Sequence, residues 1–246
     1  MTQAIRIENL GYRYPDGTAA LDGFHCDIPE GECAAIVGPN GAGKTTVLLV
    51  LAGFCLPFQG RVEAAGLLLE RRTLADIRSR IGFAFPNPDD QLFMPSVLEE
   101  TAFAPMNAGL APAAARAMAT DILRGLELEP LAARHPSRLS AGQKRMVTLA
   151  CALSMKPAIL ALDEPTANLD PYSRRQVIRR IAGFKETRLI ATHDLELVLD
   201  VCDRVIVMDG GRVAAAGEPA AVLADAALMA AHRLEVPGSL AGFSPR

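Results

Sequence analysis

The stretch Gly38-Pro39-Asn40-Gly41-Ala42-Gly43-Lys44-Thr45 decides how the rest of the chain is read. It fits the pattern G-x-x-x-x-G-K-[ST], and its flanks supply the context in which that pattern works. Ahead of it, Cys33-Ala34-Ala35-Ile36-Val37 is an apolar, strand-like run; behind it, Thr46-Val47-Leu48-Leu49-Val50-Leu51-Ala52 reads as the opening of a buried helix. The glycines let the backbone curl so that successive N–H groups face a phosphate, and the N-terminus of the helix adds partial positive charge. Lys44 is then placed to neutralise β- and γ-phosphates, and the Thr45 hydroxyl to ligate Mg²⁺. The expected ligand is a nucleoside triphosphate.

Bulk properties agree with a globular module. A chain of 246 residues can bury a large core, as one domain or one domain with a subdomain. A net charge of −3 leaves no basic footprint for nucleic acid as the main partner. The five cysteines (Cys26, Cys33, Cys55, Cys151 and Cys202) are scattered without a C-x-x-C pair, as expected of buried thiols in a reduced compartment. The opening Met1-Thr2-Gln3-Ala4-Ile5-Arg6 lacks an apolar signal core. The longest apolar run, residues 47–58, is too short to cross a bilayer. The expectation is a chain that does not span a membrane but can dock on one.

Alternation at Ile5-Arg6-Ile7-Glu8 and at Phe24-His25-Cys26-Asp27-Ile28 predicts an opening pair of strands. Short apolar runs at 81–85, 158–162, 189–192 and 205–208 suit buried parallel strands, and helical patterns separate most of them. The expected class is therefore α/β with a parallel central sheet. Residues 95–137 are Ala-rich and helical in pattern, and read as a helical insertion. At the end of the run Ile159-Leu160-Ala161-Leu162, Asp163 and Glu164 emerge where α/β sheets bind ligands. Adjacent strand residues point to opposite faces, so Asp163 can reach a Mg²⁺ shell while Glu164 polarises the attacking water. Leu139-Ser140-Ala141-Gly142-Gln143 reads as a Ser-capped helix start whose positive end can face another anion.

Taken in order, GPNGAGKTT (38–46), LSAGQ (139–143), LALDEPTANLD (160–170) and ATHD (191–194) resemble the ATP-binding subunit of ABC transporters over nearly the whole chain. The resemblance implies a P-loop NTPase core with an N-terminal antiparallel β subdomain. It also implies a helical subdomain at about 95–155, set between core segments at about 1–94 and 156–246. ATP and Mg²⁺ become the implied cofactors. Residues 38–46, Gly38 to Thr46, match the Walker A segment; Asp163 and Glu164 match Walker B, as metal ligand and base. Ser140 and Gly142, with Gln143, match the signature that contacts the γ-phosphate bound to the opposite subunit. Ala141 stands where the first signature glycine is expected, which is tolerated unless the backbone there needs a positive φ. His193 matches the switch histidine, Asp170 the loop that couples the two sites, and Tyr14 the aromatic that stacks on adenine.

One departure bears on mechanism. The family places a Gln after the strand at 81–85, where it touches Mg²⁺; this chain has Pro86, with neither side-chain ligand nor backbone N–H. Asn87, Gln91 or water is then expected to fill the metal shell, with weaker or partner-dependent hydrolysis. The segment NPDDQLFMPSVLEETAFAPMNAGL (87–110) is similar to ATPases of energy-coupling-factor importers, especially the cobalt and nickel branch, and vitamin importers such as the biotin system share much of it. The implied partners are a second ATPase subunit (a copy or a close homologue), a transmembrane scaffold and a solute-binding membrane subunit, at the cytoplasmic face of the cell membrane. A soluble, weakly hydrolysing nucleotide-gated module is the alternative of another class. His25, His135, His193 and His232 are dispersed, so solute choice is expected to belong to another subunit.

Overall fold

Two long strands open the chain, β1 (Gln3–Arg13) and β2 (Ala19–Pro29), paired antiparallel so that Ile5 faces Ile28 and Ile7 faces Cys26. The computed structural model describes residues 2–241. After β3 (Cys33–Val37) come α1 (Lys44–Leu51), β4 (Gln59–Ala64), β5 (Leu67–Leu68), α2 (Leu74–Arg80) and β6 (Ile81–Ala84). Helices α3 (Val97–Asn107), α4 (Pro112–Gly125) and α5 (Ala141–Leu153) follow. The chain returns through β7 (Ile159–Asp163), α6 (Pro171–Gly183), β8 (Thr187–Ala191), α7 (Leu195–Val201) and β9 (Arg204–Asp209). It then runs through β10 (Arg212–Gly217), α8 (Pro219–Leu223) and α9 (Ala226–Ala231).

The strands form two sheets. One is antiparallel, in the order β2-β1-β4-β5; the other runs β10-β9-β3-β8-β7-β6. In the second sheet β9, β3, β8, β7 and β6 are parallel, as the apolar runs predict, but β10 lies antiparallel on β9. The expected parallel sheet is thus edged by a hairpin. Its turn is Gly210-Gly211, both at positive φ, and Asp209 pairs with Arg212 across it. Such two-residue turns need φ > 0 at both positions, which glycine supplies at little steric cost. β4 also lies outside the sequence expectation: only Val62 and Ala64 of its six residues are buried, too short an alternation to stand out.

All five residues of β3, β7 and β8 are buried. Alternation along β7 then divides the core. Ile159 and Ala161 pack with Val47, Leu48 and Leu51 of α1 and with Ile5, Ile7 and Ile28 of the antiparallel sheet. Leu160 and Leu162 pack with Met146, Val147 and Leu149 of α5 and with Val177 and Ile181 of α6. Each such side chain contributes roughly 1.5–3 kcal/mol on full burial. The parallel sheet is therefore clamped between α1 and the α5–α6 pair.

Register carries this scaffold to the site. Ile36 pairs with Ala191, Ala191 with Asp163, and Leu162 with Ala84. The carboxyl ends of β3, β8, β7 and β6 therefore end level, and the residues that follow them are neighbours. No helix among the described residues is long and apolar enough to cross a membrane.

The spacing between β6 and α5 is set by Gly82, where a Cβ would lie 2.2 Å from the Ala152 carbonyl oxygen. Overpacking of this kind costs about 1–3 kcal/mol or more, worth about 2–4 °C per kcal/mol for a chain of this size. Gly82→Ala is expected to lower the calorimetric Tm by roughly 4–10 °C on that scale. An unchanged Tm would mean that α5 retreats freely from the sheet.

Candidate active site

The phosphate loop leaves β3 pressed between β9 and β2. A Cβ on Gly38 would lie 2.0 Å from the Met208 carbonyl oxygen, and one on Gly43 (φ +102°) would lie 2.5 Å from the Ala20 carbonyl oxygen. Only glycine fits either position. Lys44, the first residue of α1, is 8% exposed, and its Nζ donates to Gly38 O at 2.8 Å and Pro39 O at 3.1 Å. Burial holds the Lys44 ammonium below the ordinary lysine value, against the pull of Glu164 and Asp163. The loop lines a cavity of about 390 Å³ together with Tyr14, Lys44, Thr45, Thr46 and Glu164. The Tyr14 hydroxyl hydrogen-bonds with the Thr46 hydroxyl at 3.0 Å, and its ring meets Tyr12 edge-on, with centroids 5.1 Å apart.

Asp163 ends β7 and is 1% exposed. Burial lifts its pKa to about 6, Glu164 adds to the rise, and the Thr45 hydroxyl, Lys44 and Arg145 oppose it. Its Oδ2 is buried without a hydrogen-bond partner. A carboxylate with an orphan oxygen, near the Thr45 hydroxyl and beside a phosphate cradle, fits Mg²⁺, which takes one or two protein oxygens and completes its shell with substrate phosphates and water. Asp163 and Thr45 would hold the ion, which when bound supplies positive charge to the phosphate oxygens. Among the described residues no cluster of three or more His, Cys, Asp or Glu forms a metal site.

Glu164 is separated from Asp163 by more than strand alternation. Its φ is +47°, a left-handed conformation costing on the order of 1 kcal/mol for a residue with a Cβ. The turn carries it toward β8, where its N–H donates to Ala191 O at 2.8 Å. Its Oε2 accepts from the Thr192 hydroxyl at 3.2 Å and from His193 N at 3.3 Å, and lies 2.8 Å from His193 Nδ1. All three contacts fall on one oxygen of the carboxylate, Oε2.

The signature residues stand apart. Ser140 caps α5 in a reciprocal box: its Oγ accepts from Gln143 N at 3.3 Å, and Gln143 Oε1 accepts from Ser140 N at 3.0 Å. Ala141 is helical and is not among the positive-φ residues, so its methyl replaces a glycine hydrogen without backbone strain. Gly142 is different, because a Cβ there would lie 2.6 Å from Ser173 Oγ on α6. Asp170 caps α6, accepting from Tyr172 N, Ser173 N and the Ser173 hydroxyl at 2.9, 3.0 and 2.6 Å. None of Ser140, Gly142, Gln143 or Asp170 lines the phosphate cavity. One chain thus gathers Tyr14, residues 38–46, Asp163, Glu164 and His193, and holds the Ser140-capped start of α5 outside the phosphate cavity.

Comparison with known proteins converges on this arrangement. A family model described as ABC transporter matches residues 21–167. The chain belongs to the ABC transporter family. It is 45% identical to an ABC transporter ATP-binding protein of Geobacter sulfurreducens, over 97% of this chain and 96% of the relative. It is 43% identical to the cobalt import ATP-binding protein CbiO of Rhodobacter capsulatus, over 96% of this chain and 86% of that one. The structure of CbiO1 from Clostridium perfringens, part of the ABC transporter complex CbiONQ, superposes with a TM-score of 0.82 at 34% identity, covering 98% of both chains. The protein is an ABC ATPase of the ATP-binding-subunit type.

Two expected metal-shell candidates of this ABC ATPase are committed elsewhere. Gln91 Oε1 accepts from Phe85 N at 3.1 Å, and Asn87 Oδ1 accepts from Asp89 N at 3.2 Å as the cap of the short turn at 88–90. Neither lines the phosphate cavity, and Asn87 lines a different one with Ala141.

Sequence reasoning missed several contributors. Thr192 sits inside the ATHD motif, yet its bond to Glu164 depends on the pairing of β7 with β8. Asp194 caps α7, binds Arg174 at 2.6 and 2.7 Å, and accepts from the Thr166 hydroxyl at 2.8 Å. Burial works to raise its pKa, but Arg174 and Thr166 outweigh it and hold the carboxyl low. Arg174 follows Asp170 by one helical turn, the only local hint of this tie.

Glu164→Gln removes the carboxylate and keeps the shape; with Glu164 proposed as the base, turnover is expected to fall by about 10²–10⁴-fold while ATP stays bound. Steady-state turnover and nucleotide retention read this, and near-native turnover would assign the base elsewhere. For Asp163 the raised pKa means that the folded state holds the proton more tightly than the unfolded chain, from about 4 up to about 6. Stability without Mg²⁺ should therefore fall as pH rises through that window, by up to about 3 kcal/mol. Asp163→Asn should abolish this part of the slope, unfold later than wild type at pH values above the window, and lose Mg²⁺-dependent turnover. Urea titrations across the window check it; equal slopes in both proteins would contradict the assignment.

Proposed function

We propose that this ABC ATPase is the motor of an energy-coupling-factor-type importer at the cytoplasmic face of the cell membrane, using ATP and Mg²⁺ to drive uptake of cobalt or nickel ion. The observation that carries the membrane partnership is an exposed aromatic patch flanking the loop after β6. Phe54 is 51% exposed and packs on Phe83 and Phe85 with centroids 5.6 and 5.8 Å away, under the Arg78 guanidinium. Phe93 is 64% exposed and meets Phe103 edge-on at 5.0 Å. Exposed rings gathered beside a loop that borders the catalytic carboxylates favour docking of a partner helix. The similarity to CbiO, named for cobalt import, supports the choice of solute class.

Because the signature lies outside the phosphate cavity, a complete site needs a second ATPase subunit, a copy or a close homologue, that offers Ser140 and Gly142 or their equivalents to the γ-phosphate. Two ATP molecules are then held between two subunits. Contacts to γ-phosphate keep the pair closed, and their loss on hydrolysis lets it open, passing motion through residues 87–93 to a transmembrane scaffold. A small membrane subunit of that complex binds the solute. Pro86 favours a second reading of slow, partner-dependent hydrolysis, since it brings no ligand to the metal.

Purification from native membranes in mild detergent should yield the ATPase with a scaffold protein and a small metal-binding membrane subunit. A vitamin-binding subunit such as one for biotin would keep the mechanism and change the solute, and recovery without any membrane protein would favour a soluble module. Pro86→Gln should raise turnover several-fold or increase solute moved per ATP. No change in either would clear Pro86 of any part in slow hydrolysis.

A further inference from the structure

Helix α9 closes on a left-handed arginine. His232 ends the helix, and Arg233 follows at φ +56°. Arg233 N donates to Ala230 O at 3.2 Å and Leu234 N to Met229 O at 2.8 Å, the paired bonds of a helix end that ordinarily carries glycine at the left-handed position. Glycine would adopt that φ without strain, so what the arginine contributes lies in its side chain. Its Nη2 donates to Asp209 Oδ1 at 3.3 Å, and His232 Nδ1 meets Asp209 Oδ2 at 3.1 Å. Two consecutive residues thus engage both oxygens of Asp209 and hold its carboxyl below the ordinary value, His232 foremost.

Asp209 stands at the base of the hairpin behind the phosphate loop. Its neighbour Met208 presents the carbonyl oxygen that bars a Cβ from Gly38, and Gly211 N donates to Ala42 O at 3.0 Å. From Arg233 the chain crosses the sheet. Leu234, Val236 and Leu240 pack against a cluster of Ala35 and Val37 from β3, Val205 and Val207 from β9, and Val198 from α7. The crossing ends on the other flank of the site, where Ser239 Oγ donates to Glu196 Oε2 at 2.7 Å and Ser239 N to Glu196 Oε1 at 3.1 Å. These bonds, the hydroxyl's first, keep the Glu196 carboxyl below its ordinary value. Glu196 lies in the first turn of α7, just after His193, whose N–H and ring both reach Glu164. Arg174 already grips Asp194 from α6, and Ser239 adds a second hold on the same turn.

We propose that residues 232–240 form a strap that positions two parts of the ATP site at once. Through Asp209, His232 and Arg233 hold the hairpin that backs the phosphate loop; through Glu196, Ser239 holds the turn that carries His193 to Glu164. None of the three lines the phosphate cavity, so each acts through the residue it grips. The hairpin end belongs to nucleotide affinity and the Ser239 end to kcat. The second assignment rests on the reading of His193 as a residue of the γ-phosphate site.

Arg233→Gly keeps the helix end and removes the guanidinium. In the intact ATPase complex with Mg²⁺ and ATP it should raise KM for ATP about three-fold, the scale of one exposed ion pair, with kcat within about two-fold. Its Tm should stay within about 2 °C of wild type, because the left-handed turn is kept. Ser239→Ala should do the reverse, lowering kcat about three- to ten-fold with KM within about two-fold. Ser239→Thr, which keeps a hydroxyl, should recover most of that loss. If Ser239 acts through His193, Ser239→Ala should lower kcat no further in a His193→Ala protein, since residues that act as one unit are not additive. Native KM in Arg233→Gly, native kcat in Ser239→Ala, or losses that merely follow Tm would overturn the strap. A His193→Ala loss that Ser239→Ala deepens by its full factor would overturn the strap and leave the reading of His193 standing. Native kcat in His193→Ala would overturn that reading, and the Ser239 half of the strap with it.

Discussion

Three backbone positions held side by side, Ile36, Ala191 and Asp163, determine where chemistry can occur in this protein. Their pairing is ordinary parallel-sheet hydrogen bonding, fixed by strands buried on both faces. Because the strands end level, the phosphate loop, the Glu164 turn and the Thr192–His193 pair share one edge. A slip of one residue in β8 would turn its side chains to the other face and separate Thr192 from Glu164. The core formed by α1, α5 and α6 against the sheet is what prevents that slip.

On this scaffold the protein concentrates charge it could have left out. Lys44 and Arg145 are buried cations, Asp163 is a buried carboxylate with an orphan oxygen, and Glu164 sits in a left-handed turn. Each feature costs stability alone, and together they offset one another only in part: Asp163 remains lifted to about 6 despite two neighbouring cations. Such residual cost is expected where a site is organised for a ligand rather than for the empty fold.

The phosphate loop was legible in the sequence because its physics is local: glycines, a lysine and the flanking strand and helix lie in one contiguous stretch. The buried strands were legible for the same reason, as short apolar runs. What was not legible depended on contacts between distant segments. The direction of β10 followed from a two-glycine turn that the composition shows but the apolar pattern does not. The commitment of Gln91 to Phe85 N, and of Asn87 to its own turn, required the folded loop. The burial of Arg145 against the end of β6 also rests on contact between distant segments, α5 and the Phe85 and Pro86 carbonyls. Ala141 and Gly142 are instructive together: one is tolerant because it is simply helical, the other is constrained because Ser173 packs against it.

The central claim is that the catalytic site is divided between two subunits. Mixing a Lys44→Ala copy with a Ser140→Arg copy tests it directly, each being inactive alone. In a mixed pair one site combines both defects, while the other joins an intact phosphate loop to an intact signature. The account expects ATPase activity to reappear on mixing, through that one intact site. Mixtures as silent as either variant alone would mean that each chain must supply both elements itself, and would contradict the divided site.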